Sequence, residues 1–481
     1  MPLSSGNPGR YAGSSRTGMR TRIQPTSSED SGLGPPVRSR VRPWLVAITL
    51  VFGLNILFLL ALLLAAAVPA EHLRERVVEA FDSGALSERD RLPFDTRIGW
   101  HQYNDCLILQ MVANEGAAVP KALGPTVYYP GNFRHLCLTV SGLVRGELSP
   151  AAMDRFRYTR YWHGHNAVTG LALAVWQFAT VRNIFRAAAY LSLLLLALVA
   201  WQSGPGLRMF GFTVALFGLL FWGLPYYAQS PSHGPGDTTV TLGLAALVAV
   251  LGRNTGVDRY VVLSSAFGAV VTYMEFLTGL LPTAAALLLP LGYLAAGPTS
   301  AERSGIAERW RFALAGLIGF GLGVTLTVAI KQLLAFGLFG GEVVDAFNNN
   351  LQYHTRQPEV GRDGRLLVAA HTTADLIRRW GRTLTYGSDA AARLLFGTAA
   401  LAWIAALGLA IWRRSREALS LFLACAAGAA LIYLWIVLLP NHTRHHPFMV
   451  RMMLAPLALA WIAVGLQLWS QQERIWPSRR T

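Results

Sequence analysis

An all-α polytopic membrane protein with about ten transmembrane helices is the fold this sequence predicts, on three observations. Only 14% of the 481 residues are charged and 53% are hydrophobic, whereas soluble domains carry roughly 25% charge. The mean hydropathy is +0.37. Several apolar runs reach the roughly 18–20 residues that cross a bilayer as a helix. The runs do not alternate as barrel strands do, and in lipid only helices and closed barrels satisfy their own backbone hydrogen bonds.

The elements follow in order. Residues 1–43 are rich in Ser, Gly, Pro and Arg and poor in large apolar side chains, which predicts a disordered basic tail. The first span, 44–69 (WLVAITLVFGLNILFLLALLLAAAVP), is too long for a signal-peptide core. Its basic flank places the N-terminus in the cytoplasm. Residues 70–165 hold no spanning run. Their mixed charges, the amphipathic EHLRERVVEAF and the turn signal YPGN predict a large folded first outer loop. Residues 167–179 are apolar but short and read as an interfacial or re-entrant segment. Further spans are predicted near 182–202, 209–228, 238–252, 260–275, 277–297, 312–335, 394–412, 418–439 and 452–470. A second outer loop lies at about 340–390, and 471–481 is a cytoplasmic tail, so the membrane module runs over 44–470.

Alternation from an inside N-terminus gives an N-in/C-in chain. The inside turns then carry Arg208, Arg253, Arg259, Arg303, Arg309, Arg311, Arg413, Arg414, Arg416, Arg474, Arg479 and Arg480, as the positive-inside rule requires. All eleven histidines fall on the outside pieces. The net charge of +16 reads as anchoring beside anionic lipid. The dispersal of the arginines among the spans argues against nucleic acid as a partner. Of three cysteines, Cys106 and Cys137 share the first outer loop and would pair if that side is oxidising. Cys425 lies in an apolar span, and there is no CxxC spacing.

Four clusters on the outer pieces can carry chemistry. In GWHQYNDCLIL, Asp105 is either a helix cap or a general base facing the membrane surface, with Asp95 in PFDTRIGW as its rival. In DRFRYTRYWHGHNAVTG, Arg160, His163 and His165 stand before an apolar stretch. An interfacial girdle explains them, and so does phosphate recognition, for which arginine offers bidentate charge-assisted contacts. The histidine pair also leaves a divalent metal open. Asp237, Glu275 and Lys331 are ionisable groups in or beside spans, which default to function unless they snorkel or pair. The turn PNHTRHHPFMVRM supplies His442, His446 and Arg451 between two apolar runs.

Taken in order, YWHGH (161–165), EFLT (275–278), IKQLLAFGLFGGEVVDAFNN (330–349) and NHTRHHPFMVR (441–451) form a set that resembles bacterial GT-C-like membrane glycosyltransferases. Those are distantly similar to the protein O-mannosyltransferases and lipid A aminoarabinose transferases. The resemblance implies an inside N-terminus, a large first outer loop bearing an essential acid, and a sugar donor carried on polyprenyl phosphate. The acid of the better-known families follows soon after the first span, whereas Asp105 lies some 36 residues beyond it. On this reading Asp105 is the catalytic base. Arg160, His163, His165, Lys331, His442 and Arg451 bind the donor phosphate, and Asp95, Asp237, Glu275 and His446 are further candidates. No cofactor is implied, because fixed cations do a metal's work. The partners are membrane lipid, the lipid-linked sugar and a glycan, lipid or protein acceptor at the outer face of the cytoplasmic membrane. The competing classes are a transporter or flippase for a lipid-linked glycan, and a polysaccharide polymerase or ligase. The absence of an internal repeat and the collection of ionisable groups at one face favour the transferase over the transporter.

Overall fold

The computed structural model describes residues 37–90, 102–130, 135–253, 255–275, 278–296, 305–355, 374, 378, 388–440 and 447–475. Asp95, His442 and His446 lie outside these residues. Residues 1–42 form a unit of their own, and Pro43–Thr481 forms the compact unit considered below.

The chain is predominantly helical. Helix α1 (Val37–Ala66) opens with Arg38, Arg40 and Arg42, is apolar from Pro43 onward and stops before Pro69. A small layer follows at the end of α1. Helix α2 (Ala70–Asp82) buries Leu73, Val77 and Ala80, a four-then-three spacing that gives one apolar face. Helix α3 (Tyr103–Ala113) is buried from Asn104 to Ala113. Helix α4 (Ala118–Leu123), strand β1 (Thr126–Tyr129), helix α5 (Leu136–Val144), strand β2 (Asp154–Arg157) and helix α6 (Gly164–Leu173) complete the layer. The strands form an antiparallel ribbon with Thr126 opposite Arg157 and Tyr129 opposite Asp154.

Two devices fix α3 against α5. Cys106 and Cys137 form a disulfide, with Cα atoms 5.2 Å apart. Asp90 caps α5 through both carboxylate oxygens, accepting from Cys137 N at 2.9 Å and Leu136 N at 3.2 Å. Its backbone oxygen accepts from Gln102 N and Tyr103 N at the start of α3.

The bundle comprises α7 (Phe178–Trp201), α8 (Pro205–Phe221), a short α9 (Leu224–Tyr227), α10 (Gly234–Leu251), α11 (Val257–Met274), α12 (Leu280–Ala295), α13 (Ile306–Phe339), α14 (Gly341–Thr355), α15 (Asp389–Trp412), α16 (Arg416–Leu438) and α17 (Leu454–Ile475). Among the described residues, seven helices are long and apolar enough to cross a membrane: α1, α7, α10, α13, α15, α16 and the segment Arg451–Trp469. Helices α8 and α12 are apolar but only 17 and 16 residues long, and α11 carries Asp258 and Arg259 in its first turn.

Several predicted boundaries shift: α1 begins at Val37, inside the stretch predicted as a disordered tail, and the span predicted at 209–228 is α8, which ends at Phe221 and is followed by the separate α9. The apolar stretch at 167–179 covers the end of α6, the turn after it and the first residues of α7; Ala167, Leu173 and Phe178 are buried, whereas Leu171, Val175 and Trp176 are exposed. Helix α7 starts at Phe178, before Arg182, because that arginine is buried and donates to Ala85 O, so its charge does not end the helix. The loop predicted from 340 opens with α14, set off from α13 by Gly340 at φ +62°, a left-handed conformation that favours glycine.

Helices α11 and α13 approach to backbone contact. A Cβ on Gly323 would sit 1.9 Å from Ser265 O, and one on Gly268 would sit 2.2 Å from Phe320 O. Small residues at such crossings let helices associate without a hydrophobic drive between them. Consecutive helices joined by short turns run antiparallel, so the chain has two chemically different ends. One holds Arg208, Arg253, Arg309, Arg413, Arg414 and Arg416. The other holds the α2–α6 layer, the 222–233 segment, the 275–279 turn and Arg451.

Candidate functional site

At the second end a buried polar cluster forms around the segment QSPSHGPGD (229–237), which runs from α9 into α10. Asp105, in the first turn of α3, points at it. Its Oδ1 accepts from the hydroxyl of Ser230, from Ser232 Oγ at 2.9 Å and from Ser232 N at 3.2 Å. Ser230 and Ser232 also bond each other at 2.8 Å. The residue capping α3 is Gln102, with no side-chain cap bond, so the Asp105 carboxylate is turned towards the serines. Burial pushes Asp105 up to about 6; the Ser230 hydroxyl, the nearby Arg182 charge and Ser232 oppose that rise. A carboxylate with those partners can hold and release a proton near neutral pH.

His165 follows on the other side of the same segment. Its ring meets the carbonyls of Pro231 and Met274, and burial drives its pKa down to about 4 against them. His163 occupies a left-handed conformation, φ +57°, which costs energy for a side-chain-bearing residue. One ring nitrogen faces Tyr158 O at 2.6 Å. Burial first, and the Lys331 charge second, hold its pKa well below the usual histidine value. Gly164 between them has no room for a side chain, because a Cβ would meet Tyr273 O at 2.6 Å. The two histidines of YWHGH therefore face different carbonyls. Among the described residues no group of three or more His, Cys, Asp or Glu side chains could hold a metal ion.

Arg451 lies at the far side of the cluster and is 2% exposed. It forms an ion pair with Asp237, contacts His233 Nδ1 at 3.2 Å and donates to Trp222 O at 2.9 Å. Its guanidinium lies 4.7 Å from the Tyr227 ring centre. Glu275 caps α12, accepting from Thr278 N at 2.5 Å, Leu281 N at 3.0 Å and Gly279 N at 3.3 Å. Arg160 donates to Asn350 of α14 at 2.7 Å. Lys331, on α13, donates to Leu123 O at the end of α4.

The structure thus brings Asp105, His165, Asp237 and Arg451 onto one segment, while His163 and Lys331 meet Tyr158 O and Leu123 O and interact with each other. A groove of about 610 Å³ runs along α2 past Glu71, Glu75 and Asp82 and includes none of these residues. Ser230, Ser232 and Arg182 are not singled out by the sequence, and His233 counts there only as one of the eleven histidines on the outside pieces. The only signal for the two serines is the density of Ser, Pro and Gly between two apolar runs. Arg182 is masked by the apolar helix around it. Compared with protein-family models, with curated proteins and with solved structures, the chain shows no match.

Proposed function

We propose that this protein is a membrane glycosyltransferase that moves a sugar from a polyprenyl-phosphate carrier to an acceptor hydroxyl at the outer face of the cytoplasmic membrane. The observation that carries the reading is Asp105, a buried carboxylate raised to about 6 and aimed by two serine hydroxyls at the end of the bundle where the buried basic groups collect. Asp105 takes the acceptor's proton as the acceptor oxygen bonds the anomeric carbon. The bond from that carbon to the phosphate oxygen breaks, and the lipid phosphate leaves with the electron pair. One displacement inverts the sugar carbon. Fixed cations in a site with little water stabilise the leaving anion without reorganisation. The Cys106–Cys137 disulfide supports the orientation, since disulfides persist where the surroundings are oxidising. The arginine-rich opposite end then faces the cytoplasm.

The test is Asp105→Asn in isolated membranes, with consumption of lipid-linked sugar as the readout. Loss of about 100-fold or more is expected for a missing general base. Full activity would remove Asp105 from the mechanism.

A further inference from the structure

The basic groups at the site end divide by what faces them. Arg451 has Asp237, Arg157 has Glu342 and Arg145 has Asp82. Among the described residues Lys331 has no such partner. It is 1% exposed, its ammonium donates to the Leu123 carbonyl and lies 6.0 Å from the Trp162 ring centre, and no carboxylate among the described residues is within ion-pair distance. Beside it, His163 is also 1% exposed, and its Nδ1 has no hydrogen-bond partner among the described residues. An ammonium taken out of water costs several kcal/mol unless an opposite charge meets it. With Nε2–H donating to Tyr158 O, the neutral ring presents Nδ1 as an acceptor, and it bonds an anion only on taking a proton, which an anion held there by Lys331 favours.

The depth of Lys331 narrows the anion. At 1.5 Å per residue the 34 residues of α13 span about 51 Å, well beyond the roughly 30 Å hydrocarbon core. Twenty residues from Phe312, where the basic flank of α13 ends, reach to about Lys331, close to the level of lipid phosphates. Helix α1 lies alongside, joined through Asn55 Nδ2 to Thr327 Oγ1 at 3.2 Å, and the Trp162 indole donates to Thr327 O at 2.8 Å. Both helices present exposed apolar side chains near this level, Leu60 and Leu64 on α1 and Leu333 and Phe336 on α13.

We propose that Lys331 and His163, walled by Trp162, form the phosphate subsite for a single-tailed lipid phosphate whose tail lies along α1 and α13. The identity of the lipid rests on the glycosyl-transfer reading; the anion site does not. Within that reading the leaving phosphate is held by Lys331 and His163, while Arg451 keeps Asp237.

The test uses the full chain in phosphatidylcholine nanodiscs, titrated calorimetrically with farnesyl phosphate, farnesol and inorganic phosphate. Farnesyl phosphate is expected to bind and farnesol to bind at least about tenfold more weakly, the loss of one charge-assisted contact. Lys331→Met is expected to lose about the same factor, and Lys331→Arg to retain binding within about threefold, which separates a charge effect from misfolding. Equal binding of farnesyl phosphate by Lys331→Met and the parent protein would overturn the subsite. Inorganic phosphate binding as tightly as farnesyl phosphate would overturn its assignment to lipid. Asp105→Asn is expected to bind farnesyl phosphate like the parent. If Asp105→Asn still transfers sugar while Lys331→Met loses the ligand, Asp105 is not the base and the anion site stands; if the parent protein consumes no lipid-linked sugar while Lys331→Met loses the ligand, the transferase reading fails and the anion site stands. If Asp105→Asn abolishes transfer while Lys331→Met binds normally, the reverse holds.

Discussion

Asp105→Asn should make the protein more stable at neutral pH while removing the proposed sugar transfer. Burial lifts the Asp105 carboxyl from 3.8 to about 6. At about 1.36 kcal/mol per tenfold change, that rise corresponds to about 3 kcal/mol of ionisation cost in the folded state. The folded value lies above the unfolded one, so the contribution of the protonated acid is complete below about pH 4 and is lost as the pH rises through about 6. Asparagine has the same shape, and its Oδ1 can still accept from Ser230 and Ser232, but it does not ionise. The variant should therefore match the parent near pH 4 and exceed it by up to about 3 kcal/mol at pH 8, with the gap opening between. Unfolding midpoints followed by tryptophan fluorescence in detergent micelles, at a series of pH values, measure the difference. A gap that does not change with pH, or a variant less stable at pH 8, refutes the reasoning.

Further outcomes follow from other contacts. Replacing Cys106 and Cys137 by serine opens a link between residues 31 apart, and should cost about 3.5–4 kcal/mol by chain entropy, read by unfolding with and without reductant. Asp237→Asn and Arg451→Met should each cost about 3–5 kcal/mol, because each strands a buried group, whereas the double variant should cost less than their sum by about 2 kcal/mol or more. Additive losses in that cycle would mean the pair is not coupled. Gly323→Ala should cost about 1–3 kcal/mol in the same unfolding assay, since its methyl would lie 1.9 Å from Ser265 O and push α11 from α13.

The helices were legible because each apolar run is bounded by charge or by Gly and Pro, and lipid leaves the backbone no alternative within such a run. The gathering of His163, His165, Asp237 and Arg451 at one end was legible by counting reversals along the chain. Their individual duties were not. Glu275 reads as an intramembrane acid, yet it caps the helix that follows it, a role decided by the turn of the backbone at Gly279. Arg451 reads as an anion binder, and its charge is met by Asp237, 214 positions earlier. Ser230 and Ser232 carry no signal of their own, since two hydroxyls in a Pro- and Gly-rich turn acquire meaning only when a distant carboxylate packs on them. Periodicity reports on neighbours along one helix, whereas these pairings depend on which helices the bundle sets side by side.

The distance in sequence between Asp105 and its hydroxyl partners bears on how the protein is made. Ser230 and Ser232 follow it by 125 and 127 residues. At about 5–20 residues per second, synthesis of that interval takes roughly 6–25 s. The core of α2, α3 and α5, closed by Phe178, Val181 and Phe185 of α7, needs nothing beyond α7 and can be oxidised before the ribosome reaches the serines. A chain that stops after α7 would therefore be a secure, cross-linked layer whose acid has nothing to aim it. Completion of the hydrogen-bond set around Asp105 waits on insertion of the next two helices, so in an unfinished molecule the carboxyl has neither serine hydroxyl to accept from.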